Sequence, residues 1–89
     1  MNVLYEKSFS RDIDRLKHEK AIKKHLLELI EKIKKSSSLA DLSSIKKIEG
    51  YKAYYRIRIG DYRLGIKVSE NTIILIRFLH RREIYRKFP

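Results

Sequence analysis

Apolar side chains in the first half of the chain recur every three or four positions, which is the spacing of one face of an α-helix. Lysine, glutamate and histidine fill most of the positions between them. The apolar stripe consists of Ile13, Leu16, Ala21, Ile22, Leu26, Leu29, Ile30 and Ile33. No apolar residue falls on the stripe between 17 and 20, so the pattern predicts two antiparallel helices joined by a corner at 17–20.

The residues around this helical hairpin indicate where it begins and ends. The β-prone run from Asn2 to Phe9 predicts a strand before it. Ser8 or Ser10 can cap the first helix, and Asp12 would then stand in its first turn, where a negative charge is favourable. The second helix is expected to end at Lys34-Lys35, before a run of three serines.

Beyond residue 50 the period of the hydrophobic pattern changes from 3.6 to 2, which is typical of strands. The alternation runs over 53–59 and again over 62–68, and Gly60-Asp61 between them has the composition of a two-residue hairpin loop. The run 72–79 is apolar on both faces for most of its length, which indicates an inner strand.

Two remaining segments complete the expected architecture. Residues 39–50 are predicted to be a connection that packs a few side chains, and residues 82–88 a final helical turn or two. The pattern therefore predicts one α+β domain over 1–89: an N-terminal strand, a helical hairpin, a mainly antiparallel twisted sheet and a short C-terminal helix.

Composition limits the class of protein. The 89 residues are 43% hydrophobic, which excludes a disordered tail, and no apolar run approaches the ~20 residues of a membrane span. The run Met1–Glu6 does not have the pattern of a signal peptide. Without cysteine there is no disulfide, zinc–thiolate site or thiol nucleophile. We therefore expect a cytoplasmic protein that does not act at a membrane.

The net charge of +11 requires a polyanionic or strongly acidic partner. Residues 1–50 hold ten lysines and two arginines against eight acids, whereas residues 51–89 hold three lysines and seven arginines against three acids. Lysine commonly solubilises helix surfaces, while the rigid fork of arginine suits phosphate and carboxylate. The first half therefore resembles a solvated scaffold and the second half an anion-binding surface.

A two-residue loop at Gly60-Asp61 fixes the register of the predicted hairpin. Arg58 then lies opposite Arg63, with Arg56 and Lys67 nearby on the same face. Like charges opposite each other destabilise a sheet, so a bound anion is the simplest reason for this arrangement. Gly65, opposite Arg56, would leave a shallow place where a ligand can approach the backbone.

The same register, continued across Glu70-Asn71, makes predictions for the third strand. It places Ile74, Ile76, Phe78 and His80 on the charged face. An exposed Phe78 would suit base stacking, and a covered Phe78 would be a core residue. Arg77 would fall on the apolar face, which conflicts with its charge, so either Arg77 lies at the sheet margin or the second turn is not a two-residue loop.

Few kinds of catalysis fit these residues. There is no glycine-rich phosphate loop, His18 and His25 lack partners for a metal site, and carboxylates are too few for a metal-dependent nuclease. RNA carries its own nucleophile, the 2′-hydroxyl, so its cleavage needs only cations, a base and an acid. His80 and Tyr85 are the candidates for proton transfer. No metal or cofactor is expected.

Two segments resemble the RelE/ParE superfamily of type II toxin–antitoxin toxins. They are Tyr54–Leu64, which reads YYRIRIGDYRL, and Phe78–Tyr85, which reads FLHRREIY. Tyr85 and the arginine cluster resemble the RelE branch more than the gyrase-poisoning ParE branch. The resemblance implies the RelE-like, microbial-RNase-like fold and a ribosome-dependent mRNA endonuclease, or mRNA interferase, which inhibits translation by metal-independent 2′-hydroxyl attack.

The resemblance also assigns residues and partners. It implies that the catalytic residues are Arg63, Arg81, His80 and Tyr85, and that the RNA-binding residues are Arg56, Arg58, Lys67, Arg82 and Phe78. The partners it implies are the ribosome and mRNA, a cognate acidic antitoxin, and operator DNA only through that antitoxin. RelE proteins often carry lysine at the positions of Arg56 and Arg58, and arginine does not readily give up its proton. Weak cleavage, a ParE-like gyrase inhibitor and a non-catalytic RNA- or ribosome-binding protein on the same fold therefore stay open as alternatives.

Overall fold

The computed structural model describes residues 1–89 and contains one five-stranded sheet with helices on both faces. The elements along the chain are β1 (Asn2–Tyr5), α1 (Lys7–Asp14), α2 (Lys20–Lys35), a 3₁₀ turn (Leu39–Asp41), β2 (Ile45–Lys47), β3 (Tyr54–Ile59), β4 (Tyr62–Ser69), β5 (Thr72–His80) and α3 (Arg81–Lys87). The strand order is β1-β5-β4-β3-β2. β1 runs parallel to β5, and all other neighbours are antiparallel. The predicted α+β architecture is confirmed. No helix is both long and apolar enough to span a bilayer.

Each face of the sheet has its own hydrophobic cluster, because successive side chains of a strand point to opposite sides. The larger cluster lies between the sheet and the helical hairpin, and its buried members are Phe9, Leu26, Ile30, Ile33, Leu42, Ile57, Ile59, Leu64, Ile66, Ile73, Leu75 and Phe78. The smaller cluster lies under α3 and consists of Leu79, Ile84 and Phe88. The two faces of the sheet are therefore covered by different parts of the chain.

The helical hairpin is confirmed, but the predicted start of its first helix is wrong. α1 ends at Asp14 and α2 begins at Lys20, so the corner spans 15–19 and overlaps the predicted 17–20. α1 begins immediately after Glu6, so neither Ser8 nor Ser10 is its cap. Ser8 instead donates its hydroxyl hydrogen bond to the carbonyl oxygen of Ile76, 2.6 Å away. The pairing of β1 with β5 ends at Tyr5, so the strand is shorter than the predicted run from Asn2 to Phe9. Phe9 instead packs into the larger cluster from α1.

The connection predicted over 39–50 contains an additional strand. β2 pairs with β3 in antiparallel register, with Lys46 opposite Arg56. Three residues are too few to show a period of two, so backbone pairing rather than side-chain pattern creates this strand. Just before it, Ser44 has a φ of 58°, and its carbonyl oxygen accepts a hydrogen bond of 3.0 Å from the backbone N–H of Arg58.

The register predicted for the β3–β4 hairpin is confirmed pair by pair. Ile59 lies opposite Tyr62, Arg58 opposite Arg63, and Arg56 opposite Gly65. The φ of 56° at Gly60 is typical of the tight turn that a two-residue loop requires. The second loop is also two residues long, because Ser69 lies opposite Thr72.

A β-bulge in β5 changes the face on which the end of the strand points. Ile66 pairs with Leu75, but Gly65 pairs with Arg77, which leaves Ile76 as the extra residue. Phe78 therefore enters the larger core cluster, where it is only 1% exposed, so it cannot stack on a base. Its expected place on the charged face is wrong, because the two-residue alternation does not continue through the bulge.

The conflict at Arg77 is resolved by a buried ion pair. The carboxylate of Asp12, with a side chain 2% exposed, accepts hydrogen bonds from Nε and Nη2 of Arg77 at 2.8 and 3.0 Å. The same carboxylate accepts a bond of 2.9 Å from the backbone N–H of Phe78. These hydrogen bonds to Asp12 raise the pKa of the Arg77 guanidinium above its ordinary value. Asp12 thus connects α1 to β5 instead of serving as a first-turn residue.

Asp12→Ala should lower the free energy of unfolding by about 3–5 kcal/mol, because it leaves the half-buried Arg77 without its partner. Asp14→Ala, at an exposed position of the same helix, should change it by less than about 0.5 kcal/mol. The double variant Asp12→Leu, Arg77→Met should recover much of the loss, since no unpaired charge remains. Urea unfolding followed by circular dichroism measures all three. Equal losses for Asp12→Ala and Asp14→Ala would contradict the assignment.

Candidate functional site

A basic cleft of about 330 Å³ lies on the α3 side of the sheet. Its lining residues come from the segment before β2, from β2, β3 and β4, and from α3. They are Ser44, Ile45, Lys46, Arg56, Arg58, Arg63 and Tyr85. Four of these seven side chains are cationic and none is acidic.

The cations of the basic cleft have no carboxylate partners. The ion pairs of the protein involve other cations, namely Arg15, Lys34, Arg77 and Lys87. Arg63 donates from Nη1 to the carbonyl oxygens of Gly60 and Tyr62, at 3.0 and 2.9 Å. Those bonds hold its guanidinium at the hairpin turn but do not neutralise it. The cleft is therefore arranged to receive an anion that the protein itself does not supply.

Tyr85 reaches the basic cleft because α3 is packed against the sheet. Ile84 is fully buried, and the ring of Phe88 covers Gly65 so closely that a Cβ atom there would lie 2.7 Å from it. Tyr85 itself is 61% exposed, and the guanidinium carbon of Arg56 lies 4.5 Å from the centre of its ring. The shallow place expected at Gly65 is therefore filled by Phe88, and the open space lies beside it.

Four of the residues that the sequence proposed for the site meet in the cleft: Arg56, Arg58, Arg63 and Tyr85. Their convergence follows from the confirmed hairpin register and from the packing of α3. Of the other proposed residues, Arg81 and Arg82 lie on the exposed first turn of α3, outside the cleft lining. Lys67 also lies outside it, with its Nζ 5.7 Å from the ring centre of Tyr54.

His80 lies on the opposite face of the sheet from the basic cleft, as a result of the bulge. Its ring packs edge-on against Tyr62, with 5.6 Å between the centres, and its Nδ1 accepts a hydrogen bond from the backbone N–H of Arg82. It lines a separate cleft of about 220 Å³ with Tyr62 and Glu83. Burial raises the pKa of Tyr62 there, and Lys87 lowers the pKa of Glu83. The structure thus brings no histidine to the basic cleft.

The sequence did not indicate three residues of the cleft, Ser44, Ile45 and Lys46. All three lie in the segment predicted to be a connection, and their place depends on the pairing of β2 with β3. The sequence does not distinguish Lys46 from its neighbour Lys47. In the structure Lys46 lines the cleft, whereas Lys47 donates from Nζ to the carbonyl oxygen of Tyr51, at 3.2 Å. The positive φ of Ser44 is uncommon for a residue other than glycine, and such conformations cluster at functional sites.

Comparison with known proteins identifies the kind of protein that carries this cleft. Residues 3–85 match the family model described as ParE toxin of type II toxin-antitoxin system, parDE. The chain is 50% identical to Toxin RelE3 of Methanocaldococcus jannaschii over the full length of both proteins.

The solved structures agree with this match. One chain of a RelB-RelE antitoxin-toxin complex from Methanococcus jannaschii superposes with a TM-score of 0.81 at 45% identity, covering 97% of this chain and 99% of that one. The YoeB dimer from Staphylococcus aureus shares the fold with a TM-score of 0.70 at 21% identity, covering 86% and 92% of the two chains.

Arg58→Gln should stabilise the protein slightly and weaken its anion binding. Removal of one of two cross-strand like charges should raise the free energy of unfolding by about 0.2–1 kcal/mol at low ionic strength. The gain should disappear at about 1 M salt, where the screening length is about 3 Å. Urea unfolding at both salt concentrations and calorimetric titration with pyrophosphate measure the two effects. Lys24→Gln, at an exposed position of α2, is the control. A loss of stability at low salt in Arg58→Gln would refute the interpretation.

Proposed function

Because this chain belongs to the ParE toxin family, within the RelE/ParE superfamily of type II toxin–antitoxin toxins, we propose that it inhibits translation by cutting mRNA on the ribosome. The observation that carries the proposal is the basic cleft, in which Tyr85 accompanies four cations and no carboxylate. Such a lining suits a substrate that brings both the negative charge and the nucleophile. RNA brings both, in its phosphates and its 2′-hydroxyl groups.

The proposed reaction is an intramolecular transesterification of the RNA phosphodiester. The 2′-oxygen of one nucleotide attacks the adjacent phosphorus, a new O–P bond forms, and the bond from phosphorus to the 5′-oxygen of the next nucleotide breaks. The 2′-hydroxyl loses its proton to solvent water, and the leaving 5′-oxygen gains a proton from Tyr85, which solvent restores, so the products are a 2′,3′-cyclic phosphate and a 5′-hydroxyl. Cations close to the phosphorus stabilise the charge that develops on its oxygens.

The cleft residues divide this work according to their chemistry. Arg56, Arg58 and Arg63 hold the phosphate and stabilise its developing charge, because arginine keeps its proton throughout. Tyr85 carries a hydroxyl that can donate to the leaving oxygen, and its ring can stack on a base. Lys46 supplies a fourth positive charge from β2. With His80 on the other face, proton transfer is assigned to Tyr85 rather than to the histidine.

Arg81 is proposed to contact RNA just outside the basic cleft. It precedes Tyr85 by four residues in α3, so the two side chains extend from the same side of the helix. Its backbone N–H donates to the carbonyl oxygen of Asp61 at 2.8 Å, which ties the start of α3 to the hairpin turn. Arg82 and Lys67 would contribute at longer range.

The proposed partners are the ribosome with its mRNA and a cognate antitoxin. The relative of known structure with 45% identity was solved as an antitoxin–toxin complex. An acidic segment of an antitoxin would bring to the basic cleft the carboxylates that the toxin itself lacks. Binding to operator DNA would then come through the antitoxin.

Expression of the chain without an antitoxin should arrest growth and leave mRNA cut within codons. Arg63→Ala and Arg81→Ala should relieve the arrest, because each removes a positive charge at the proposed RNA-binding surface. Lys24→Ala removes a positive charge at an exposed position of α2, away from the basic cleft, and should remain toxic as the control. Growth curves and mapping of mRNA 5′ ends measure the outcome. Arrest with intact mRNA would refute cleavage, and an accompanying DNA-damage response would favour gyrase inhibition.

Lys46→Ala should lower the single-turnover rate of cleavage in ribosome complexes about 100-fold, since one stabilising charge on the phosphate is lost. Lys46→Arg should keep most of the rate because it preserves that charge. Lys47→Ala is the matched control on the next residue of β2, which does not line the basic cleft. At saturating toxin concentration its rate should equal that of the parent protein. Equal rates for Lys46→Ala and Lys47→Ala would remove Lys46 from the site.

A further inference from the structure

A chain of aromatic side chains continues from the basic cleft along the same face of the sheet. Tyr54 precedes Arg56 and Arg58 on the alternating positions of β3, and its ring meets that of Phe88 edge-on, with 5.7 Å between the centres. Tyr51 in turn meets Tyr54 edge-on at 5.8 Å. We call Tyr51, Tyr54 and Phe88 the aromatic strip.

The outer end of the aromatic strip is open to solvent. Phe88 is buried and Tyr54 half-buried, whereas Tyr51 is 48% exposed. The T-shaped contact with Tyr54 supports the ring of Tyr51, and Lys47 donates from Nζ to the carbonyl oxygen of Tyr51 at 3.2 Å. Tyr51 thus exposes a large ring whose position is fixed by contacts of both its side chain and its backbone.

Positive charge surrounds the aromatic strip, as it does the basic cleft. The Nζ of Lys67 lies 5.7 Å from the ring centre of Tyr54, and Lys52 directly follows Tyr51 in the chain. Glu49 is the acidic residue of the same turn. An exposed aromatic ring among cations is the arrangement that single-stranded nucleic acid recognises, because bases stack on the ring while phosphates meet the cations.

The strip and the cleft are far enough apart to contact different nucleotides. Tyr54 lies four residues from Arg58 on β3, which is about 13 Å at ~3.3 Å per residue. Tyr51 lies beyond Tyr54. A phosphate held between Arg58 and Arg63 and a base on Tyr51 would therefore belong to nucleotides that are not adjacent in a compact strand, where the rise is ~3.4 Å per nucleotide.

We propose that Tyr51 is a second RNA subsite, on which a base of the strand held in the basic cleft stacks. The inference rests on the proposed function, since it assigns the same RNA to both sites, and it extends the binding surface beyond the scissile step. Stacking does not depend on which base is present, because every base has a π-face. The subsite is therefore expected to make the affinity for RNA depend on the length of the strand and not on its sequence.

The test uses the full chain and two uncleavable 2′-O-methyl RNA oligonucleotides, a dinucleotide and a hexanucleotide. Tyr51→Ala should bind the hexanucleotide roughly tenfold more weakly than the parent protein and bind the dinucleotide equally well. Tyr51→Phe should match the parent protein, because stacking needs the ring and not the hydroxyl. Fluorescence anisotropy titrations give the dissociation constants, and circular dichroism shows whether each variant is folded.

A salt titration separates stacking from a change in electrostatics. The slope of log K against log salt should be the same for Tyr51→Ala and the parent protein, since stacking releases no counterions. Tyr5→Ala is the matched control, because Tyr5 is 50% exposed but belongs to β1 at the other edge of the sheet. It should bind both oligonucleotides as the parent protein does.

Each other outcome overturns the inference in a distinguishable way. If the parent protein binds both oligonucleotides and Tyr51→Ala does so equally well, Tyr51 is not a subsite and the proposed function stands. If the parent protein binds neither, the cleft and Tyr51 do not hold a free RNA strand and the subsite is overturned, while the growth and mRNA-mapping experiment still decides the proposed function. An equal loss in Tyr51→Ala and Tyr5→Ala would show a non-specific aromatic effect. A loss of antitoxin binding without a loss of RNA binding would assign Tyr51 to the protein partner.

Discussion

The buried carboxylate of Asp12 sets the geometry on which the candidate site depends. Its two oxygens accept three hydrogen bonds, two from the guanidinium of Arg77 and one from the backbone N–H of Phe78, although 65 residues separate it from Arg77 in the chain. A charge removed from water must be paired and fully hydrogen-bonded, or the folded state is penalised by several kcal/mol. This requirement fixes the position of α1 relative to the end of β5. It also fixes the backbone of β5 at Arg77 and Phe78, directly after the bulge at Ile76.

The bulge beside this ion pair distributes side chains between the two faces of the sheet. With Ile76 as the extra residue, Phe78 fills the core under the helical hairpin and His80 turns toward Tyr62. Leu79, Ile84 and Phe88 form the second cluster, which holds α3 on the other face and keeps Tyr85 beside Arg56. The position of Tyr85 in the basic cleft is therefore determined by packing that begins at the bulge, and the same bulge removes His80 from that cleft.

The basic cleft concentrates charge at a place where folding does not benefit from it. Arg58 on β3 lies directly opposite Arg63 on the neighbouring strand β4. No carboxylate neutralises these two residues or their neighbours Arg56 and Lys46. The two hydrophobic clusters contribute the folding free energy that outweighs this repulsion. A bound phosphate, or the acidic groups of a partner, would supply the missing anion, so affinity for anions and intrinsic stability oppose each other at this surface.

Local patterns determined much of this protein. The period of 3.6 located the helical hairpin, the period of 2 located two strands, and a run that is apolar on both faces located a third. Gly60-Asp61 determined the register that brings Arg56, Arg58 and Arg63 together. These predictions succeeded because each depends on neighbours in the chain and on the alternation of a strand. Tertiary structure alone decided the pairing of β2, the cleft position of Lys46, the bulge, and with it the faces of Phe78 and His80. Those features arise from contacts between distant segments, above all the hydrogen bonds that a buried Asp12 requires, and no periodicity within a single segment records them.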